Sequence, residues 1–140
     1  MQAQPQLQAS GTINPNRFVA KSGVRQGAQA GDNEAVIGAS GQSTKFPPLE
    51  DLVTTNPHAV AGEPIAVFGM GDIVAVEAGA AIDASSVEFV KSDANGRAVP
   101  VATTGAVNQN VAARPLESAA AAGELIMVQL MFDTIRPALS

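Results

Sequence analysis

Val87-Glu88-Phe89-Val90-Lys91-Ser92-Asp93-Ala94-Asn95-Gly96-Arg97-Ala98-Val99-Pro100-Val101 is the stretch that decides the fold. Two β-prone runs flank Asp93-Ala94-Asn95-Gly96, and Asn-Gly supplies the positive φ angles that tight hairpin connections demand. In the first run a two-residue period puts Val87, Phe89 and Lys91 on one face and Glu88, Val90 and Ser92 on the other. The pattern continues outward in both directions. Residues 35–39, 65–68, 73–77, 87–91, 98–103, 107–113 and 125–132 are short β-runs, with Gly, Asn, Asp and Pro between nearly all of them. Such spacing predicts an all-β chain, a compact β-barrel or sandwich.

Two segments read differently. In residues 46–53, Pro47 and Pro48 suit a first helical turn, and Glu50 and Asp51 favour a helix N-terminus, so one short helix is expected there. Residues 118–123 are alanine-rich and end in glycine, but six residues are too few for a helix without tertiary support. A tight turn or a single helical turn is expected before the last strand, giving at most one or two short helices in all. At the other end, Ile13, Phe18 and Val19 surround the turn-forming Asn14-Pro15-Asn16, a loop leading into a short strand. Residues 1–11 hold four Gln, one Pro and a single large apolar side chain, Leu7, and cannot pack a core of their own. They read as an extended N-terminal arm, with an ordinary loose terminus as the alternative. The expected organisation is an arm and leading strand over 1–30 and a β-rich body over 31–140.

Composition narrows the function classes. The 140 residues suffice for one core, but the apolar share of 46% is mainly Ala and Val, with five Phe and no Trp or Tyr. Burial at roughly 25 cal/mol per Å² must work against the ordering entropy of many loop residues. A lone protomer should be modestly stable, and oligomerisation would help. Without cysteine there are no disulfides and no thiolate chemistry. No secretory signal is visible and no apolar run approaches the ~20 residues that span a bilayer, so a soluble protein made in a cytoplasm, with no membrane partner, is expected. The net charge of −5 argues against a nucleic-acid partner. Residues 1–30 carry Arg17, Lys21 and Arg25 with no acid, whereas residues 31–140 carry five bases and thirteen acids: a weakly basic leader joined to an acidic body.

No catalytic constellation stands out. His58 is the only histidine, sits in the loop signature Asn56-Pro57-His58, and has no cysteine to pair with. No metal site is expected, because one His and scattered carboxylates lack ligand spacing. Gly69-Met70-Gly71-Asp72 lacks the remainder of a phosphate loop and reads as a turn. Gly71-Asp72-Ile73-Val74 with Glu77-Ala78-Gly79 resembles a turn of lipoyl and biotinyl carrier domains. Those domains need a lysine displayed on a hairpin tip, and Lys91, the nearest, is flanked by Val90 and Ser92 rather than the family's Met or Asp. The chain is therefore expected to be no enzyme, with no cofactor and no small-molecule substrate.

Three phrases carry a further resemblance. Ile13-Asn14-Pro15-Asn16-Arg17-Phe18-Val19 is followed some twenty residues on by Val36-Ile37-Gly38-Ala39-Ser40. Gly71-Asp72-Ile73-Val74-Ala75-Val76-Glu77-Ala78-Gly79-Ala80-Ala81-Ile82 is the second. The third is Asn95-Gly96-Arg97-Ala98-Val99-Pro100-Val101, then residues 111–128 from Val111-Ala112-Ala113-Arg114-Pro115 to Leu125-Ile126-Met127-Val128. In order and spacing they resemble the capsid cement, or decoration, proteins of tailed phages, with residues 44–64 as an insertion. The resemblance implies a head-stabilising structural protein: a homotrimer on the outer capsid surface that binds the major capsid protein and stabilises contacts between its subunits. It points to Ile13, Asn14, Pro15, Arg17, Phe18, Lys21 and Arg25 for capsid binding, with Arg17 and Phe18 together as the anchor where the arm joins the body and the Arg17 guanidinium free for a capsid carboxylate. Leu125, Met127, Leu130 and Phe132 in the long last strand are the expected trimer interface. Another β-rich virion component, from the tail or head closure, is the alternative.

Overall fold

The computed structural model describes residues 7–41, 60–65, 67–105 and 107–135, and every regular element among them is a β-strand. The all-β expectation holds. The helix expected at residues 46–53, His58 and most of the 44–64 insertion lie outside the described residues.

The first six strands are β1 (Leu7–Ala9), β2 (Phe18–Gly23), β3 (Gln26–Gln29), β4 (Gly38–Ser40), β5 (Pro64–Ile65) and β6 (Val67–Phe68). They form one sheet in the order β5-β1-β3-β2-β4-β6. Its two edges are neighbours in the chain: Pro64–Ile65 pairs with β1, and Val67–Phe68 pairs with β4. The sheet therefore curls into a nearly closed barrel, which removes free ladder edges.

The remaining strands are β7 (Ile73–Glu77), β8 (Val90–Ser92), β9 (Ala98–Pro100), β10 (Gln109–Pro115) and β11 (Leu125–Ile135). Their order is β7-β11-β10-β8-β9. This sheet also bends round on itself. Ala78, just beyond β7, bridges Ala98 at the start of β9, and the Gly79 N–H donates to the Ala98 carbonyl at 2.7 Å.

Strand β2 is the wall between the two cores. Phe18 and Ala20 face one side, where they pack with Ala39, Val76, Val90, Ala112, Ile126, Val128 and Leu130. Val19 faces the other, into a small cluster with Ala9, Ile13 and Ile65. Period-two alternation allows one strand to serve both sheets. The barrel cluster is tight: a Cβ on Gly27 would lie 2.9 Å from Ile65 Cδ1 and 3.1 Å from Val19 Cγ1.

Several sequence expectations move by a few residues. Leu7–Ala9, expected in the arm, is a strand paired in parallel with β3 and antiparallel with β5, so the arm reading over residues 1–11 is corrected there; residues 1–6 lie outside the described residues. Strands on both sides of residue 30 share one sheet. Strand β8 starts at Val90, later than expected, because the Asp83 carbonyl accepts from the N–H groups of both Ser86 and Val87 and holds that segment in a turn. Residues 118–123 form the expected turn, and the Gly123 N–H donates to the Ala78 carbonyl. The 93–96 connection is a type I turn closed by a bulge: Gly96 N–H donates to the Asp93 carbonyl, and only Gly96, at φ +76°, is left-handed. The Asn95 half of the expected positive-φ pair is absent.

Candidate functional site

The segment Asn14-Pro15-Asn16-Arg17 runs between Ile13, buried in the barrel, and Phe18, buried in the larger core. With both flanks fixed, the four residues cross from one core to the other. Asn16 sits at φ +58°, which asparagine tolerates better than most residues. Its carbonyl accepts from the Glu77 N–H and its Nδ2 donates to the Ala75 carbonyl, both at 3.0 Å. These two bonds occupy part of the outward edge of β7.

Arg17 extends the same clasp. Its Nη1 donates to the Asn95 carbonyl at 2.9 Å and its Nη2 to Glu77 Oε1 at 3.2 Å. Glu77 Oε2 lies 3.6 Å from Arg97 Nη1, and Arg97 Nε donates to Asp93 Oδ2 at 3.2 Å. Arg17 Nε is buried with no partner among the described residues. Two guanidinium groups and two carboxylates thus tie the first sheet to β7 and to the Asp93–Arg97 turn. The Phe18 N–H adds a bond to the Gly96 carbonyl at 2.8 Å.

This arrangement corrects one part of the expected capsid-binding set, the free guanidinium of Arg17. Alternation does put Arg17 opposite Phe18, but the neighbour on that side is Glu77 of the same chain, so the guanidinium is engaged rather than free. The Ile13 and Phe18 side chains are fully buried. Asn14 and Pro15 are half-buried. Lys21 and Arg25 are exposed at the end of the β2–β3 hairpin and, among the described residues, make no ion pair.

The last strand also divides. Register pairs Leu125 with Glu77, Met127 with Ala75 and Gln129 with Ile73, so these six share the outer face of β7 and β11. Leu125 and Met127 are exposed there, together with Ile73 and with Leu116, whose N–H donates to the Met127 carbonyl. Leu130 points the other way and is fully buried, and Phe132 packs partly buried against the core. Of the four residues expected at a trimer interface, Leu125 and Met127 are available and Leu130 is corrected to core. Ile73 and Leu116 were missed. The alternation of Ile73 against the buried Val74 and Val76 was the signal that could have found the first.

Other expectations have simple outcomes. Gly69-Met70-Gly71-Asp72 is a turn: Asp72 N–H donates to the Gly69 carbonyl, and the Asp72 carboxylate accepts from the Gly69 N–H. Lys91 lies within β8 opposite Val99, not on a hairpin tip, so the display that a carrier domain requires is missing. Among the described residues, no group of three or more His, Asp or Glu is arranged to hold a metal ion. The Asp83 carboxyl is held below the ordinary carboxylate range, first by the Ser85 hydroxyl and then by the Ser85 N–H.

No protein-family model matches the chain, and no curated protein matches it in sequence. Among solved structures it is similar to the N base of the head fibre protein gp8.5 of bacteriophage phi29, with a TM-score of 0.52 and 16% identity. The match covers 90% of this chain and 91% of that one, so the two share a fold over nearly their whole lengths.

Proposed function

We propose that the chain is a structural, non-enzymatic component of a tailed-phage head. On this reading it binds the outer capsid surface as a homotrimer and stabilises contacts between major capsid protein subunits. The observation that carries the reading is the fold shared end to end with a head fibre base, joined to the three sequence phrases that resemble capsid cement proteins. The outer face of β7 and β11 supports self-association. Burying a Leu, Ile or Met side chain contributes ~1.5–3 kcal/mol, and these side chains are already partly covered, so Ile73, Leu116, Leu125 and Met127 together offer about 4 kcal/mol. That lies at the low end of the cost of association, so assembly would be reversible and sensitive to a single charge on this face. Catalysis, cofactors and small-molecule substrates have no part in the proposal.

Decoration of purified empty heads tests it directly. Saturable uptake at hundreds of copies per head, with a trimer by sedimentation, is the expected result. A handful of copies per particle would favour the tail or head-closure alternative. No uptake would end the reading.

A further inference from the structure

The β2–β3 hairpin ends in Gly23-Val24-Arg25-Gln26, with Gly23 paired to Gln26 across the turn. Val24 is 88% exposed, the most exposed large apolar side chain among the described residues. Lys21 and Arg25 flank it, both exposed. The other cations near the sheet junction, Arg17 and Arg97, are held by Glu77 and Asp93. A chain of net charge −5 therefore presents, among the described residues, two cations without an ion pair beside one bare apolar side chain.

The tip is also held in place. Gln8 N–H donates to the Arg25 carbonyl at 2.8 Å, Ser10 N–H donates to the Gly27 carbonyl at 3.0 Å, and the Ser10 and Ser22 hydroxyls are 2.8 Å apart. Strand β1 thus buttresses the hairpin nearly to its end. Arg25 lies at φ +56°, and unlike Asn16 and Asn33, the other non-glycine residues with positive φ among the described residues, it is not a residue that adopts this conformation readily. Glycine would sit there without strain. A rigid finger with a strained arginine at its tip is organised for contact before any partner arrives.

We propose that Lys21, Val24 and Arg25 form a docking finger for an acidic protein surface, with Val24 as the apolar contact and the two cations around it. The inference rests on the head-binding reading, and the partner is then an acidic patch on the capsid protein. Two cations on an acidic chain are too few for a duplex backbone or a lipid surface, where binders use several phosphate contacts or a polybasic cluster. Ring charges of this kind set the association rate and the salt dependence, while a central apolar residue resists dissociation.

The test titrates full-length protein and its variants onto purified empty heads at low and high salt. Lys21→Glu and Arg25→Gly should each weaken binding about tenfold and flatten its salt dependence, and Val24→Ser should weaken it with salt dependence retained. Arg25→Gly should melt at or above the wild-type temperature, which separates lost contact from lost folding. If heads that take up the wild type bind the Lys21 and Arg25 variants equally well, the finger is overturned and the head-binding reading stands. Heads that take up no wild-type protein overturn both. Binding of the wild type to short duplex DNA or to anionic vesicles as tightly as to heads, with the same loss in the variants, overturns the acidic-protein partner.

Discussion

Truncating Phe18 to alanine tests whether the two sheets are one cooperative unit. Phe18 is fully buried, it is the only Phe in the core shared by both sheets that β2 contributes, and its own N–H and carbonyl are bonded to Gly96 and Ala30. Phe18 pairs across the ladder with Ala39, and the core it belongs to holds other small side chains such as Ala20 and Ala112, which are too short to refill the space. The loss should sit in the usual range for a buried aromatic, ~3–5 kcal/mol. Against a total stability of about 5–15 kcal/mol, that is a large share, and it corresponds to a melting-temperature drop of roughly 10–20 °C for a domain of this size. Urea unfolding followed by circular dichroism and by proteolysis should show one transition, moved to lower urea with little change in slope. A loss below ~1 kcal/mol, or a wild type that unfolds in two separate steps, would refute the shared core.

Three further outcomes follow from the clasp and the turns. Glu77→Gln leaves the Arg17 and Arg97 guanidinium groups without their common carboxylate and should destabilise by about 1–3 kcal/mol in urea melts; a cost under ~0.5 kcal/mol would show the clasp to be ornamental. Gly96→Ala places a Cβ 2.9 Å from Gln29 Cγ and 3.2 Å from the Phe18 carbonyl oxygen at φ +76°, so a loss of about 1–3 kcal/mol is expected, read from the same melts. Asp83 should titrate by NMR below the ordinary carboxylate value, and Ser85→Ala should bring its midpoint back up. Because this folded-state value is depressed, the contribution to stability is present above the unfolded value and is lost as pH falls through the folded one.

Legibility in the sequence followed side-chain pattern. Ile73–Glu77 was readable to the residue because alternating apolar positions are bounded by Gly71-Asp72 and by Gly79. Strands β1 and β3 were not, since Leu7–Ala9 and Gln26–Gln29 consist of Gln, Ala and Gly apart from Leu7. Their place is set by backbone pairing and by the need for a Gly27-sized residue beside Ile65 and Val19, neither of which leaves a hydrophobic period. The Arg17 site shows a different limit. Period two gave the correct side of the strand, but the partner lies 60 residues further on, and nothing local in the chain marks Glu77 as that partner. Leu130 was misplaced for a reason that was visible: in an unbroken strand it has the parity of Ile126 and Val128, not of Leu125 and Met127.

The curling of both sheets constrains how this molecule can associate. An open strand edge would allow pairing through backbone groups, largely indifferent to side chains. Here the first sheet joins its own edges through residues 64–68, and the second brings Ala78 to Ala98. Asn16 then occupies the Ala75 carbonyl and the Glu77 N–H on the outward edge of β7. A small-residue core makes this curling possible, because Ala78, Ala98, Ala112 and Ala113 let neighbouring backbones approach closely. On the head-binding reading, association would then draw on side chains: the apolar outer face of β7 and β11, and the Lys21–Val24–Arg25 tip. Substituting Met127 by aspartate changes a side chain without touching the ladder. It should therefore dissociate a trimer while leaving the melting of the protomer nearly unchanged, whereas assembly through a strand edge would survive it.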